Sequence, residues 1–174
     1  KEWPWCNDLG HAIVSFDTAG QLLCNDRVVC AMLWTTRWMK DSRPVEMWYA
    51  LGERNEVLPA GRPLAIWGTF LKGQMVKASG PKRSRCFASL DPKTGALSLF
   101  IINKDATSRN VGVVVRSTNQ LRTADVYHFT GTDDADMKPT WSKVATRRLS
   151  SNVAKDIVLP GTSITVLDMR AEEQ

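Results

Sequence analysis

Four side chains within 15 residues could do recognisable chemistry together: Trp34, Arg37, Trp38 and Trp48. Indole faces stack on the apolar C–H faces of pyranose or furanose rings, and a guanidinium donates to hydroxyls, so the set suits carbohydrate contact. The plainer role for Trp34 is a place in the core. Other chemistries find less support. His11 and His128 are the two histidines, and neither has a Ser or Cys at a recognisable elbow nearby, which argues against a histidine-dependent nucleophile. Asp133-Asp134-Ala135-Asp136 has carboxylates for calcium but lacks the Gly and distal Glu of an EF-hand, and reads as a solvated loop.

Cys6, Cys24, Cys30 and Cys86 match neither zinc-site nor CxxC spacing, so no metal is expected. The four cysteines could form two bridges, but Cys24 and Cys30 lie in apolar stretches where free buried thiols are common. No glycine-rich phosphate loop is present, and no cofactor is expected. Glu2, read by itself, is a solvated carboxylate near the first residue.

Composition limits the partners. The chain has 174 residues, 43% hydrophobic and 24% charged, which are globular values. A chain this size buries roughly 70% of its unfolded surface. No apolar run approaches the roughly 20 residues of a membrane-spanning helix, so no membrane partner is expected. The net charge of +5 is uneven: residues 1–75 carry 8 basic and 8 acidic side chains, and 76–174 carry 15 and 10. The basic residues are scattered except at Lys82-Arg83-Ser84-Arg85 and Arg147-Arg148, and Trp141 is the one tryptophan beyond residue 75. Nucleic-acid binders interleave a basic stripe with aromatics on one surface; here a solvated basic surface is expected. Binding of anionic polysaccharide by those two runs is a further reading, and salt would abolish it. The chain starts at Lys1 with no signal-peptide pattern, as a processed, trimmed or partial chain would.

Two patterns divide the sequence. In the first, Asn7 or Asp8 caps a helix whose apolar positions are Leu9, Ala12, Ile13, Phe16, Gly20 and Leu23, stopped at Asn25-Asp26. The run Val28–Trp34 is continuously apolar and too short for a helix, as a strand buried on both faces would be. Thr35–Leu58 is an irregular aromatic stretch, long enough to suggest function. A second helix is predicted from Pro59 to Gly73, with Leu64, Trp67 and Leu71 on one face.

Beyond Met75 the period becomes two. Strands are predicted at Cys86–Leu90, Leu97–Asn103, Asn110–Arg116, Asp125–Phe129, Lys155–Leu159 and Ser163–Arg170. Asp91-Pro92-Lys93-Thr94-Gly95 is a hairpin turn, and 103–108 and 160–162 are two more turns. Short strands with no helix between them predict an antiparallel β-sandwich.

Three stretches together carry a family likeness. Val28–Trp38 (VVCAMLWTTRW) looks like an eighth barrel strand running into an aromatic substrate loop. Val57–Lys77 (VLPAGRPLAIWGTFLKGQMVK) looks like a final barrel helix leaving for the sandwich. Leu97–Val115, Asp125–Gly131 and Ser163–Arg170 look like the sandwich itself, with its Asn-Lys-Asp turn. The sequence thus resembles the C-terminal part of a clan-A retaining glycoside hydrolase of the α-L-arabinofuranosidase and xylosidase type.

The resemblance implies a mixed α and β fold, with a partial (β/α)8-barrel tail over residues 1–76 and a β-sandwich over 77–174. It places Glu2-Trp3 where the nucleophile ends the seventh strand. Trp34, Arg37, Trp38 and Trp48 then stand at the substrate cleft, or simply cover the barrel mouth. A retaining glycosidase needs two carboxylates about 5 Å apart, and the acid/base partner of this clan lies on strand four, outside this sequence. The resemblance therefore implies a plant or algal polysaccharide substrate, an extracellular setting and a partner in the remaining barrel, with no activity for these residues alone. The alternative is a non-catalytic carbohydrate-binding or interaction module.

Overall fold

A computed structural model describes residues 7–33, 36–37 and 49–171. It has two compact units, Lys1–Thr69 with Gly131–Pro139, and Phe70–Thr130 with Thr140–Gln174. No described helix is long and apolar enough to cross a membrane.

The first unit is helical. Helix α1 (Leu9–Leu23) begins at Asp8, whose carboxylate accepts the His11 amide at 2.9 Å and contacts His11 Nδ1 at 2.8 Å. The Leu9 and Gly10 amides donate to the carbonyls of Asp136 and Asp134, at 2.9 and 2.8 Å. Three first-turn donors that a helix cannot satisfy internally thus find acceptors. A Cβ at Gly10 would sit 2.9 Å from the Asp134 oxygen, so the approach depends on glycine. Leu9, Ala12, Ile13, Phe16 and Gly20 form the buried stripe, whereas Leu23 is 39% exposed.

A 3-10 turn (Pro59–Gly61) leads into α2 (Arg62–Phe70). Asn7, the other cap candidate, instead donates to the Tyr49 carbonyl at 2.8 Å and accepts the Ala60 amide at 2.7 Å. Phe16 and Trp67 stack at 4.6 Å, and the indole N–H donates to the Phe16 carbonyl at 3.3 Å. The buried positions of α2 are Pro63, Ile66, Trp67 and Phe70. The expected face is therefore rotated: Leu64 and Leu71 are exposed, and the helix stops at Phe70 rather than Gly73.

The predicted strand at 28–34 does not form over its described residues. Residues 28–33 have no regular structure, with Val29 99% and Met32 93% exposed. A strand of this kind needs ladder partners on its edges and layers on both faces; no described strand pairs with it. Cys30 is exposed for the same reason, and Cys24 is exposed as the α1 C-cap, so neither is the buried thiol expected.

The second unit is an antiparallel sandwich. Its strands are β1 (Gln74–Val76), β2 (Ser84–Leu90), β3 (Leu97–Asn103), β4 (Arg109–Val114), β5 (Thr123–Thr130), β6 (Thr140–Arg148), β7 (Val153–Leu159) and β8 (Ser163–Arg170). Six form one sheet in the order β1-β2-β3-β8-β5-β6, and β4 pairs with β7 in the other. Leu97, Ile101, Val126, Leu167 and Met169 of the large sheet form one core cluster with Val113, Ala154, Ile157 and Leu159 of the small one. The opposite face of the large sheet is apolar too, with Phe87, Phe100, Ile102, Phe129, Ile164 and Val166 buried.

β1 and β6 were not anticipated. β6 is exposed along most of its length, and Lys143, Arg147 and Arg148 break its alternation, as charges do on strands that end a sheet.

The turns close as their residues require. In the β2–β3 hairpin, Asp91 accepts the Lys93 amide and the Thr94 hydroxyl, and Gly95 takes φ +73°. Buried Asn103 donates to the carbonyls of Thr107 and Pro160 at 2.9 and 2.8 Å, which joins the 103–108 and 160–162 turns.

Candidate functional site

Of the expected sugar-contact residues, Arg37 is described; Glu2, Trp34, Trp38 and Trp48 lie outside the described residues. Arg37 is anchored to a tight turn. Leu51 bridges Val57, the Leu58 amide donates to the Ala50 carbonyl at 3.0 Å, and the Gly52 amide donates to Glu56 at 2.9 Å. Asn55 adopts φ 62° at the turn's tip, a conformation Asn tolerates better than most residues. The Glu56 carboxylate accepts the Arg54 amide at 2.8 Å.

Arg37 Nη1 donates to the Glu53 carbonyl at 3.3 Å and to Asn55 Oδ1 at 3.1 Å. The adjoining Thr36 carbonyl accepts the Leu51 amide at 3.0 Å. The turn thus holds an exposed guanidinium by one nitrogen. A guanidinium has five N–H donors, so hydroxyl or carboxylate recognition is within its chemistry. Gly61 belongs to the same construction, because a Cβ there would overlap the Ala50 carbonyl.

The histidines and the acidic loop have structural partners. His11 completes the α1 cap. His128 Nε2 lies 3.1 Å from the Val158 carbonyl, and burial lowers its pKa, favouring the neutral ring. Asp136 accepts the Thr132 and Lys138 amides at 2.9 and 2.7 Å, which holds its carboxyl below the usual range. Asp133 accepts the Ala135 amide at 2.9 Å. These side chains shape the loop whose carbonyls cap α1.

The Lys82–Arg85 run is likewise tied into the fold. Arg109 donates to the Lys82 carbonyl at 2.8 Å and pairs with Asp105, and Arg83 lies 3.7 Å from the same carboxylate. The Arg109 hydrogen bond keeps the Asp105 pKa low.

One ionic network was not foreseen. Asp125 of β5 stands opposite Asp168 of β8. Lys143 at 2.7 Å, Arg170 and the Thr146 hydroxyl at 2.6 Å surround Asp125, while Lys72 lies 3.0 Å from Asp168. Burial pushes the Asp125 carboxyl up, but the Lys143 and Thr146 hydrogen bonds and the Arg170 charge outweigh it, and the net shift is downward. Paired carboxylates invite an acid–base reading. A proton donor needs a raised pKa, however, and Asp125 is held ionised. No sequence signal could have found the pair, because only the register of β5 against β8 brings it together.

No family model and no curated protein sequence matches the chain. Solved structures do. A glycoside hydrolase family 30 subfamily 8 xylanase from Clostridium acetobutylicum aligns with TM-score 0.66 and 15% identity over 95% of this chain. A family 44 xyloglucanase from Paenibacillus polymyxa gives 0.64 and 19% over 95%, and an α-L-arabinofuranosidase from Thermotoga maritima gives 0.57 and 12% over 72%. The chain spans 40%, 30% and 32% of those proteins, respectively. At these identities the likeness is one of fold. The expected resemblance to glycoside hydrolases holds at that level, for a mixed α and β fold with no closed barrel among the described residues.

Proposed function

We propose that this chain is the C-terminal portion of a retaining glycoside hydrolase that cleaves plant or algal polysaccharide outside the cell. Residues 1–76 are the end of its (β/α)8 barrel and 77–174 its accessory sandwich. The observation that carries the reading is the alignment of 95% of this chain with less than half of a xylanase and of a xyloglucanase.

In this reading Glu2 attacks the anomeric carbon as the glycosidic bond breaks, and an acid/base carboxylate on the rest of the barrel protonates the departing oxygen. The same carboxylate then takes a proton from the water that hydrolyses the glycosyl-enzyme and frees Glu2. Trp34, Trp38 and Trp48 stack on sugar rings, and Arg37 donates to hydroxyls. Residues 1–174 alone lack the second carboxylate and most of the scaffold that would position the first, so they are inactive by themselves.

The test is hydrolysis of aryl arabinofuranosides and xylosides by the native preparation, with its mass measured by light scattering. Glu2→Gln should lower turnover on the order of a thousandfold or more while leaving the assembly's mass unchanged. Unchanged turnover removes Glu2 from the reaction. An isolated, inactive 174-residue monomer that still binds polysaccharide would favour the carbohydrate-binding module instead.

A further inference from the structure

The side chains proposed to act on a sugar lie on three stretches separated in sequence: Glu2 before α1, then Trp34, Arg37 and Trp38, then Trp48. The described residues adjoining these stretches are tied together within the first unit. Asn7 stands five residues after Glu2 and directly before Asp8, and it is buried. Its Nδ2 donates at 2.8 Å to the carbonyl of Tyr49, the residue that follows Trp48. Its Oδ1 accepts the Ala60 amide at 2.7 Å. Two residues beyond Tyr49, the Leu51 amide donates to the carbonyl of Thr36, the residue before Arg37.

Neither of these bonds serves the helix that Asn7 precedes. Asp8 already caps α1 by accepting the His11 amide. Both Asn7 bonds instead reach segments 42 and 53 residues away. A buried amide carries a desolvation cost that a packed apolar side chain avoids. What it supplies in return is direction, because a donor and an acceptor on one short side chain fix where two segments lie.

We propose that Asn7 is a positioning residue for the hydrolysis described above. It sets the chain that carries Glu2 against the chain that carries Trp48 and, through the Leu51–Thr36 bond, against Arg37. The inference rests on the reading of Glu2 as nucleophile. A nucleophile reacts only from a near-attack geometry, and a misplacement of about 1 Å can cost about a hundredfold in rate.

The test measures kcat and KM of Asn7→Asp and Asn7→Gln in the native preparation, on aryl arabinofuranosides and xylosides. Asn7→Asp keeps an acceptor for the Ala60 amide and removes the donor to the Tyr49 carbonyl. Asn7→Gln keeps both groups and displaces them by one methylene, so it remains informative if the first variant does not fold. In each folded variant kcat should fall about tenfold or more, with KM within about twofold, at a temperature well below melting. A purely structural amide would lower the melting temperature and leave kcat unchanged, and that result overturns the proposal. A raised KM with unchanged kcat overturns it as well. Glu2→Gln measured alongside separates the two readings. Unchanged turnover there overturns the nucleophile, whereas unchanged kcat in the Asn7 variants beside an inactive Glu2→Gln overturns the positioning role alone.

Discussion

Val28–Leu33 and Leu97–Asn103 are both short and apolar, yet one lies exposed without regular structure and the other is the centre of a sheet. β3 has β2 on one edge and β8 on the other, in register along its length, with buried layers on both faces. Residues 28–33 have no described partner on either edge. An apolar run therefore states what a segment can bury, while the ladder that makes it a strand comes from elsewhere in the polypeptide.

The contrast can be broken most strongly at its centre. Phe100→Ala should cost about 3–5 kcal/mol in urea unfolding, because the ring is fully buried. Val29→Ala in the same chain should change stability by less than about 0.5 kcal/mol. Equal effects would mean that 28–33 is buried in solution. If the barrel is completed as proposed, Val29→Ala should become clearly destabilising in the whole assembly.

Asn103→Ala is next. It removes the amide that joins two turns and strands buried carbonyls, at a cost of about 1–3 kcal/mol. A neutral result would mean that water replaces the amide.

The smallest effects are those of pH. Burial lowers the His128 pKa from 6.5, so the unfolded chain takes up its proton first on acidification, and stability falls as pH drops below about 6.5. His128→Gln should flatten that slope in thermal melts between pH 7 and 5. Asp125 acts lower. Its folded pKa lies below 3.8, so its contribution is complete above that value and is lost as pH falls through the folded pKa. Asp125→Asn should reduce the acid-range dependence, which Asp105 and Asp136 share, and leave the slope near pH 6 intact.

Much of the architecture was legible because it is local. Asp8 before an apolar stripe marks a helix start, and Asp91–Gly95 closes a hairpin through contacts within five residues. The apolar residues of β5, β7 and β8 report layers on their faces. β6 was missed because an exposed terminal strand has no buried face to impose a period. The α2 face was misread by one position, since Leu64 is no less apolar than Ile66. Of the candidate site, Arg37 and its aromatic neighbours stood out by composition, and Glu2 drew interest only through the family likeness.

By itself, the sequence determined helix caps, tight turns and the division between a helical period and a strand period, all set by hydrogen bonds and side chains a few residues apart. Tertiary structure alone decided that 28–33 has no described strand partner, that Asn103 joins two turns, and that Asp125 meets Asp168 among cations. Those outcomes depend on register and on partners far away in the chain, and no local pattern encodes a distant partner.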